Sequence, residues 1–481
     1  MTTPTTKTSI VLLVDGARAD VMTDLLQKGE LPSLQRYLVE PGSCRQAVTT
    51  FPSTTGPAYL PFLTGASPGQ CNFPGIRWFD KQAFEKGTLL SGHRSYVGFE
   101  SFMMGQDMSP HIQTLFELVP KSYSIFNPLV KGAGKRNRTR MSRIWYWYYA
   151  HLTDRWAFVD GAAVEKIVAL LPLEPRYIFA VLPGVDEYSH LAGPHHEKTI
   201  EQYRCVDRAV FKLNERLKQY MDSEEAQLWI VSDHGLSSTE THFCLNTFLE
   251  KRGCAPFFYP LIHKRRGKLC ANMVSGNGMS HLYFRHPEGW AKPVTASLLQ
   301  RISPSFVDDL VAEPAIDILM IKNDAGGVNV LSKRGHAALS WQGENIEYTV
   351  QGSDPFGYPA LPSLFTQDQS LHLTHHTDYP DALFQILNLF QASRTGDVVL
   401  SATPGFDLRL KYEHPEHRGS HGSLHRSHMM VPLICNQPLE ARPARTVDVF
   451  PSVLESLGYP VPSYAEGKSL FKIAREEKVL I

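Results

Sequence analysis

An uninterrupted apolar run, Leu228-Trp-Ile-Val231, passes directly into Ser-Asp-His-Gly235. Consecutive large apolar residues read as a strand buried on both faces, so the residues that follow stand at its C-terminal end. In an open α/β sheet that end is where ligands bind. Adjacent Asp233 and His234 there can both reach one metal ion. The same tripeptide also suits an ordinary strand-to-loop turn, in which Asp accepts backbone N–H bonds and Gly takes a positive φ.

Three other segments have the same character. Ile10-Val-Leu-Leu-Val14 is followed by Asp15-Gly-Ala-Arg-Ala-Asp20, where Asp15 alone could be a helix cap. Tyr177-Ile-Phe-Ala-Val-Leu182 leads to Asp186-Glu-Tyr-Ser-His190. Asp and His four apart on a helical turn share a face, close enough to share a metal. His421 lies between glycines in Arg418-Gly-Ser-His421-Gly-Ser423, and the apolar run Met430-Val-Pro-Leu-Ile434 follows. His375, His376, His414, His417, His425 and His428 compete with it, but His421 alone has glycine flanks and that run to seat it on the sheet. Between Asp15 and the rest, Thr49-Thr-Phe-Pro-Ser-Thr-Thr55-Gly56 leads on to Leu63-Thr-Gly65. Such a hydroxyl cluster fits an N-cap and first helical turn, a geometry that also aims a hydroxyl and backbone N–H groups at an anion.

Taken in order, Asp-Gly, Phe-Pro-x-x-Thr with Leu-Thr-Gly, Asp-x-x-x-His, Asp-His-Gly and a late Gly-x-His-Gly resemble the alkaline phosphatase superfamily. Within it the pattern is most similar to the type I phosphodiesterase and nucleotide pyrophosphatase group, over about Ile10 to Leu433. The resemblance implies two divalent ions, zinc in most of that family. One would be held by Asp15, Asp233 and His234, the other by Asp186, His190 and His421. It also implies Thr55 as a metal-bound nucleophile, with Thr54 the adjacent alternative. Mixed histidine and carboxylate donors suit zinc or manganese better than magnesium or calcium. A cation lowers the pKa of the threonine hydroxyl so that it can attack phosphorus, and a second one holds the leaving oxygen. The implied reaction is hydrolysis of phosphate diesters or pyrophosphates through a phosphothreonine, on a small phosphorylated substrate.

One departure is informative. Diesterases of this group carry Asn three residues after the nucleophile, and this chain has Ala58. An oxyanion donor contributes about 3 kcal/mol, so Gly56 N–H, Arg18 or Asn72 is expected to replace it. The departure keeps a monoester phosphatase or phosphonate hydrolase as alternatives. Neither Cys-x-Pro-x-Arg nor Ser-x-Pro-x-Arg occurs, which disfavours a sulfatase. A scaffold that lost its chemistry would not account for six ligands and a hydroxyl retained together.

Strand-like runs alternate with helix-length segments such as Val21 to Val39, Glu197 to Tyr220 and Ala444 to Leu457. The expected architecture is therefore α/β, a mostly parallel central sheet flanked by helices, with an inserted α+β cap lobe. Residues 1–242 and 411–481 would form the core, with a small aromatic and basic insertion at about 72–160, and 243–410 would form the cap region. His281 reads as a cap-strand histidine packed on its neighbours, a cleft-lining role being the alternative. The basic run from Lys131 to Arg140 precedes Ile144-Trp-Tyr-Trp-Tyr-Tyr-Ala150. It reads as a solvated loop beside an aromatic helix, as a cap whose Lys135, Arg136, Arg138 and Arg140 receive a charged substrate, or as a membrane-surface element.

Hydrophobic residues make up 43% and charged residues 20% of the 481, a soluble globular balance. A formal net charge of zero argues against bulk nucleic-acid binding. Seven cysteines without a C-x-x-C pair suit a reducing compartment. The first apolar run is too short for a signal peptide and no run of about 20 apolar residues occurs, so a cytoplasmic protein without a transmembrane segment is expected.

Overall fold

A computed structural model describes residues 6–87, 92–222, 224–265, 267–410 and 416–471. His414 and the first five residues lie outside them.

Seven strands form the central sheet: β1 (Thr8–Val14), β2 (Ser43–Val48), β3 (Ser122–Ile125), β4 (Tyr177–Leu182), β5 (Ala226–Val231), β6 (Met430–Cys435) and β7 (Ala444–Arg445). Their spatial order is β7-β2-β6-β5-β1-β4-β3. Only β6 runs antiparallel to its neighbours, so the sheet is mixed but mostly parallel. β1, β4 and β5 are buried along their whole lengths, which is why they read as unbroken apolar runs.

The helices that matter below are α1 (Ala19–Gln27), α2 (Arg140–Thr153), α3 (Trp156–Leu170), α4 (Gly184–Ala192), α5 (Glu197–Leu217), α6 (Ala382–Gln391) and α7 (Val449–Ser456). α5 buries Tyr203, Val206, Val210, Leu213 and Leu217, a spacing of three and four that puts one face on the core. The expected helix from Val21 to Val39 is broken. α1 stops at Gln27, Gly29 takes φ +73, and Pro32 opens a new turn because its ring cannot continue the first. The expected helix at the C-terminal end is shorter too, since Ala444–Arg445 pairs with β2 before α7 begins.

Residues 270–402 contribute a second sheet of eight strands, antiparallel throughout. In its strand Ile316–Lys322, Ile318 and Met320 point to one side and Leu319 and Ile321 to the other. The first pair shares an apolar cluster with Val48, Phe51, Met429 and Met430, at the ends of β2 and β6. The two sheets are thus joined by packed side chains, α6 included. His281 sits in this sheet fully buried, its Nε2 2.9 Å from the Pro74 carbonyl and its Nδ1 accepting from Gly396 N–H at 3.2 Å. It is a packed strand histidine and not a cleft residue.

Candidate active site

Backbone register places the chemistry. β1 lies between β4 and β5, with Val14 opposite Leu182 and Leu13 opposite Val231. Asp15, the Asp186 helix and Asp233-His234 therefore leave the sheet side by side, at its C-terminal edge. The approach is close: a Cβ on Gly16 would fall within 2.8 Å of Leu236 and Asp186, and Gly16 takes φ +71. Only glycine fits there.

Thr55 follows β2 across the same edge, half-buried, its Oγ1 3.1 Å from His234 Nε2 and 3.4 Å from Asp15 Oδ1. Thr54 is fully buried, and among the described residues its hydroxyl has no partner. Gly56 takes φ +95 and lines the cavity with both threonines. Asp15 Oδ2 accepts a hydrogen bond from Tyr59 at 2.5 Å, a contact with no motif to announce it in the sequence.

Three imidazoles are oriented alike. His190 Nδ1 lies 2.7 Å from the Gly419 carbonyl, His421 Nδ1 3.0 Å from that of Ser53, and His234 Nδ1 3.2 Å from that of Gly235. A proton held on Nδ1 by a carbonyl leaves Nε2 as a lone-pair donor, the arrangement of metal-ligating histidines. His421 is further set by the turn at Gly276-Asn277-Gly278, since a Cβ on Gly276 would sit 2.6 Å from its Nδ1. The contact of that turn with His421 spans about 145 residues of chain.

Donor atoms of Asp186, His190 and His421 lie within 4.8 Å of one another, and so do those of Asp15, Asp186 and His234. Asp233 Oδ2 stands 3.2 Å from His234 Nε2. Asp186 is thus shared between the two clusters, and Asp233 flanks the second. Two buried carboxylate oxygens, Asp186 Oδ1 and Asp233 Oδ2, lack a hydrogen-bond partner among the described residues. Buried polar atoms are ordinarily paired. With the Nε2 atoms of the three imidazoles, they form a donor set that fits divalent cations.

The electrostatics point the same way. Burial, with the neighbouring Asp186 charge, pushes the Asp15 carboxyl up to about 7, and burial does the same to Asp186. Asp233 is raised well above the carboxylate range by burial and by Asp15 and Asp186. His234 and His421 are lowered well below the usual imidazole value, first by burial and then by neighbouring histidines. A divalent cation inverts this preference by stabilising the carboxylates.

Other sequence-predicted residues end elsewhere. Arg18 is turned to Asp20, with Nη2 2.6 Å from its carboxylate and Nη1 donating to the Leu236 carbonyl. Asn72 Oδ1 accepts from Ser393 Oγ and Arg394 N–H, tying the core to the second sheet. Neither lines the cavity, so neither replaces the missing Asn amide there. His428 uses both ring nitrogens on Ser423 and Ser237, and His425 bonds Ser427. Among the described competing histidines His417 alone lines the cavity, its ring 4.4 Å from that of His190.

The cavity measures about 930 Å³ and runs from Thr55 to α2. Its cationic lining is Arg77, Arg140, Arg143, Lys198 and Arg409, and does not include Lys135, Arg136 and Arg138. Those three stand in the turn before α2, and helical periodicity selects the residues that face inward.

Strand topology and this polar cluster define a metal-dependent hydrolase with the alkaline phosphatase fold. The chain belongs to the type I phosphodiesterase / nucleotide pyrophosphatase family, whose profile matches residues 9–424. It is similar in structure to phosphonoacetate hydrolase from Sinorhizobium meliloti 1021, solved with phosphonoformate, at 15% identity and TM-score 0.58, covering 94% of this chain and 96% of that one. Human ectonucleotide pyrophosphatase / phosphodiesterase 5 matches at 13% identity and TM-score 0.58, covering 96% and 97%. The murine protein matches at 12% and 0.57, covering 95% and 96%. No match was found among curated proteins. Among the described residues no helix is long and apolar enough to cross a membrane.

Proposed function

We propose that the chain hydrolyses phosphate diesters or pyrophosphates through a covalent phosphothreonine on Thr55. The observation that carries this reading is the position of Thr55 Oγ1, between His234 Nε2 and Asp15 Oδ1 and open to the cavity. Asp15, Asp233 and His234 would hold one divalent ion and Asp186, His190 and His421 another, zinc or manganese by donor type. Such ions supply Lewis acidity that lowers the pKa of a bound hydroxyl and neutralises charge at phosphorus. The Thr55 oxygen attacks phosphorus, an Oγ–P bond forms, and the bond from phosphorus to the leaving oxygen breaks. Water then cleaves the Oγ–P bond, regenerating the hydroxyl with net retention at phosphorus. A threonine-to-alanine form of the murine relative, in complex with AMP, is described as inactive, which supports a threonine in this role.

Ala58 favours a second reading. It is fully buried and offers no amide to a phosphoryl oxygen, and phosphonoacetate hydrolase is among the structural relatives. A phosphonate hydrolase on the same residues accommodates both facts. We place the protein in a reducing compartment because all seven cysteines are unpaired. The deciding experiment is a turnover screen with bis-aryl phosphate, aryl monophosphate, aryl phosphonate and aryl sulfate, with zinc or manganese. The first reading requires the diester to be the best substrate and Thr55→Ala to abolish its turnover; a preference for the phosphonate selects the second. Absence of turnover on all four rejects both.

A further inference from the structure

Helix α2 has two faces in different company. Arg140, Arg143, Trp147 and His151 line the cavity, at intervals of three and four. Met141, Trp145, Tyr148 and Leu152 fall in another sector and are 64%, 75%, 60% and 82% exposed. At 3.6 residues per turn these four lie within about 60° around the helix axis, a single apolar stripe about 17 Å long. Tyr149, and Phe158 of α3 with its ring 5.2 Å away, widen it. Tyr148 also lines the cavity, as do the exposed Val97 and Phe99, so the stripe reaches the cavity rim. Apolar residues exposed singly are ordinary, whereas a continuous stripe marks an interaction surface.

Charge on the same segment is one-sided. Residues 131–158 hold seven Lys and Arg and one carboxylate, Asp154, in a chain whose 48 Lys and Arg balance 48 Asp and Glu. Asp154 is taken by Lys198 at 2.9 Å, and Lys131 faces Glu117 at 3.8 Å. Glu100, beside Phe99, accepts from Ser95 N–H at 2.6 Å, and Glu165 of α3 pairs with Lys212. Lys135, Arg136 and Arg138 before the helix and Arg155 after it make no ion pair among the described residues. The stripe is therefore bracketed by uncompensated cations at both ends.

This pattern selects among occupants. A second copy packed along α2 would set cations against cations whichever way its helix ran, and like charges across an interface disfavour association. A protein partner needs matching pockets, but Trp145 and Leu152 protrude from the surface. A lipid headgroup layer takes protruding side chains without a matching shape: Trp and Tyr settle at its boundary, Leu and Met go deeper, and Lys and Arg meet anionic headgroups.

We propose that the outer face of α2 is a peripheral docking surface for anionic lipid bilayers, with Trp145 and Leu152 entering the headgroup layer and Lys135, Arg136, Arg138 and Arg155 meeting lipid anions. Docking sets the cavity rim at Val97, Phe99 and Tyr148 against the bilayer. The inference makes no use of the Thr55 centre.

The test is co-sedimentation of the full chain with vesicles of phosphatidylcholine alone or with about 30% phosphatidylglycerol. Partitioning onto the anionic vesicles is expected to be about tenfold or more stronger, and to weaken with added salt. Trp145→Ser combined with Leu152→Ser should lower it about tenfold or more, and so should Lys135→Gln, Arg136→Gln and Arg138→Gln combined. Leu364→Ser, in the edge strand of the second sheet farthest from Gly276, should leave it unchanged. Melting temperatures equal to the parent's show that the variants are folded; if the apolar variant melts lower, the charge variant decides alone. No partitioning by the parent, partitioning indifferent to anionic lipid, or partitioning that survives substitution in folded variants overturns the proposal. A dimer in sedimentation velocity that Trp145→Ser with Leu152→Ser dissociates also overturns it, because the face then belongs to a second copy.

Discussion

Thr55 Oγ1 lies 3.1 Å from Nε2 of His234, the nitrogen left free when the Gly235 carbonyl holds the other side of the ring. A hydroxyl and an imidazole donor at that distance can share one cation, and the hydroxyl is the only one of the Thr54-Thr55 pair with such company.

That relationship predicts a sharp asymmetry between neighbours. Thr55→Ala should lower turnover by roughly 10³-fold or more while metal content measured by elemental analysis is unchanged, because the remaining donors come from other segments. Thr54→Ala should be mild in turnover. Thr55→Ser should retain part of the rate, having kept the oxygen and lost the methyl that restricts its rotamer. Phosphoryl label recovered on Thr54 would reverse the assignment.

The ends of β1, β4 and β5 were legible because the chemistry is local there: an apolar run fixes a strand, and the next polar residues inherit the sheet's edge. On that logic Asp15, Asp186, His190, Asp233 and His234 were singled out, and His421 on its glycines, and the fold brings their side chains together. Arg18 and Asn72 were misplaced because direction is not local. Asp20, two residues on, captures the Arg18 guanidinium, and Ser393 with Arg394 captures Asn72. Tyr59 and Arg143 were missed for the complementary reason, being single residues delivered by tertiary packing. The break at Pro32 was signalled and read through.

The raised carboxyls predict how stability depends on pH without metal. For Asp15 and Asp186 the folded value of about 7 exceeds the ordinary 3.8. Their contribution is therefore fully present below about pH 4 and lost as pH rises through about 7. Chelated protein should melt at lower temperature at pH 8 than at pH 5. Asp186→Asn should flatten that slope, and a melting temperature independent of pH in chelator would contradict the burial argument.

Metal should reverse the trend. Binding requires ionised carboxylates and neutral imidazoles, so the rise in melting temperature on adding manganese should grow from pH 5 to pH 8. At free metal about 100-fold above Kd the stabilisation is about 2.7 kcal/mol. Asp233→Ala should reduce it, and thermal melts across the pH series measure both effects.

Gly276 offers a test of how the second sheet holds the site. Its φ is +60, and a Cβ there would meet His421 Nδ1 at 2.6 Å and the His421 carbonyl at 2.8 Å. Gly276→Ala should cost about 1–3 kcal/mol in strain and displacement, and it should lower metal stoichiometry toward one ion per chain. Gly253, with nothing near its Cβ, controls for the backbone penalty of a positive φ alone. If Gly276→Ala bound both ions as tightly as the parent, the turn would be a bystander to His421.

Tyr59 gives the narrowest prediction, because its hydroxyl touches only the far oxygen of Asp15. That hydrogen bond works against the burial that raises the Asp15 carboxyl. Tyr59→Phe keeps the ring, so packing against Phe179 at 6.2 Å between centroids is preserved, and Asp15 loses the shorter of its two hydroxyl hydrogen bonds, the other coming from Thr55 at 3.4 Å. Its carboxyl should rise further, and metal affinity should fall about 10- to 100-fold, the usual effect of removing a group that orients a ligand. The loss should be largest near neutral pH and shrink at higher pH, where Asp15 is ionised in either protein. Competition titrations against a chelating dye at pH 6.5 and pH 8.5 would show it. An affinity deficit that is the same at both pH values would mean that Tyr59 orients Asp15 without tuning its proton.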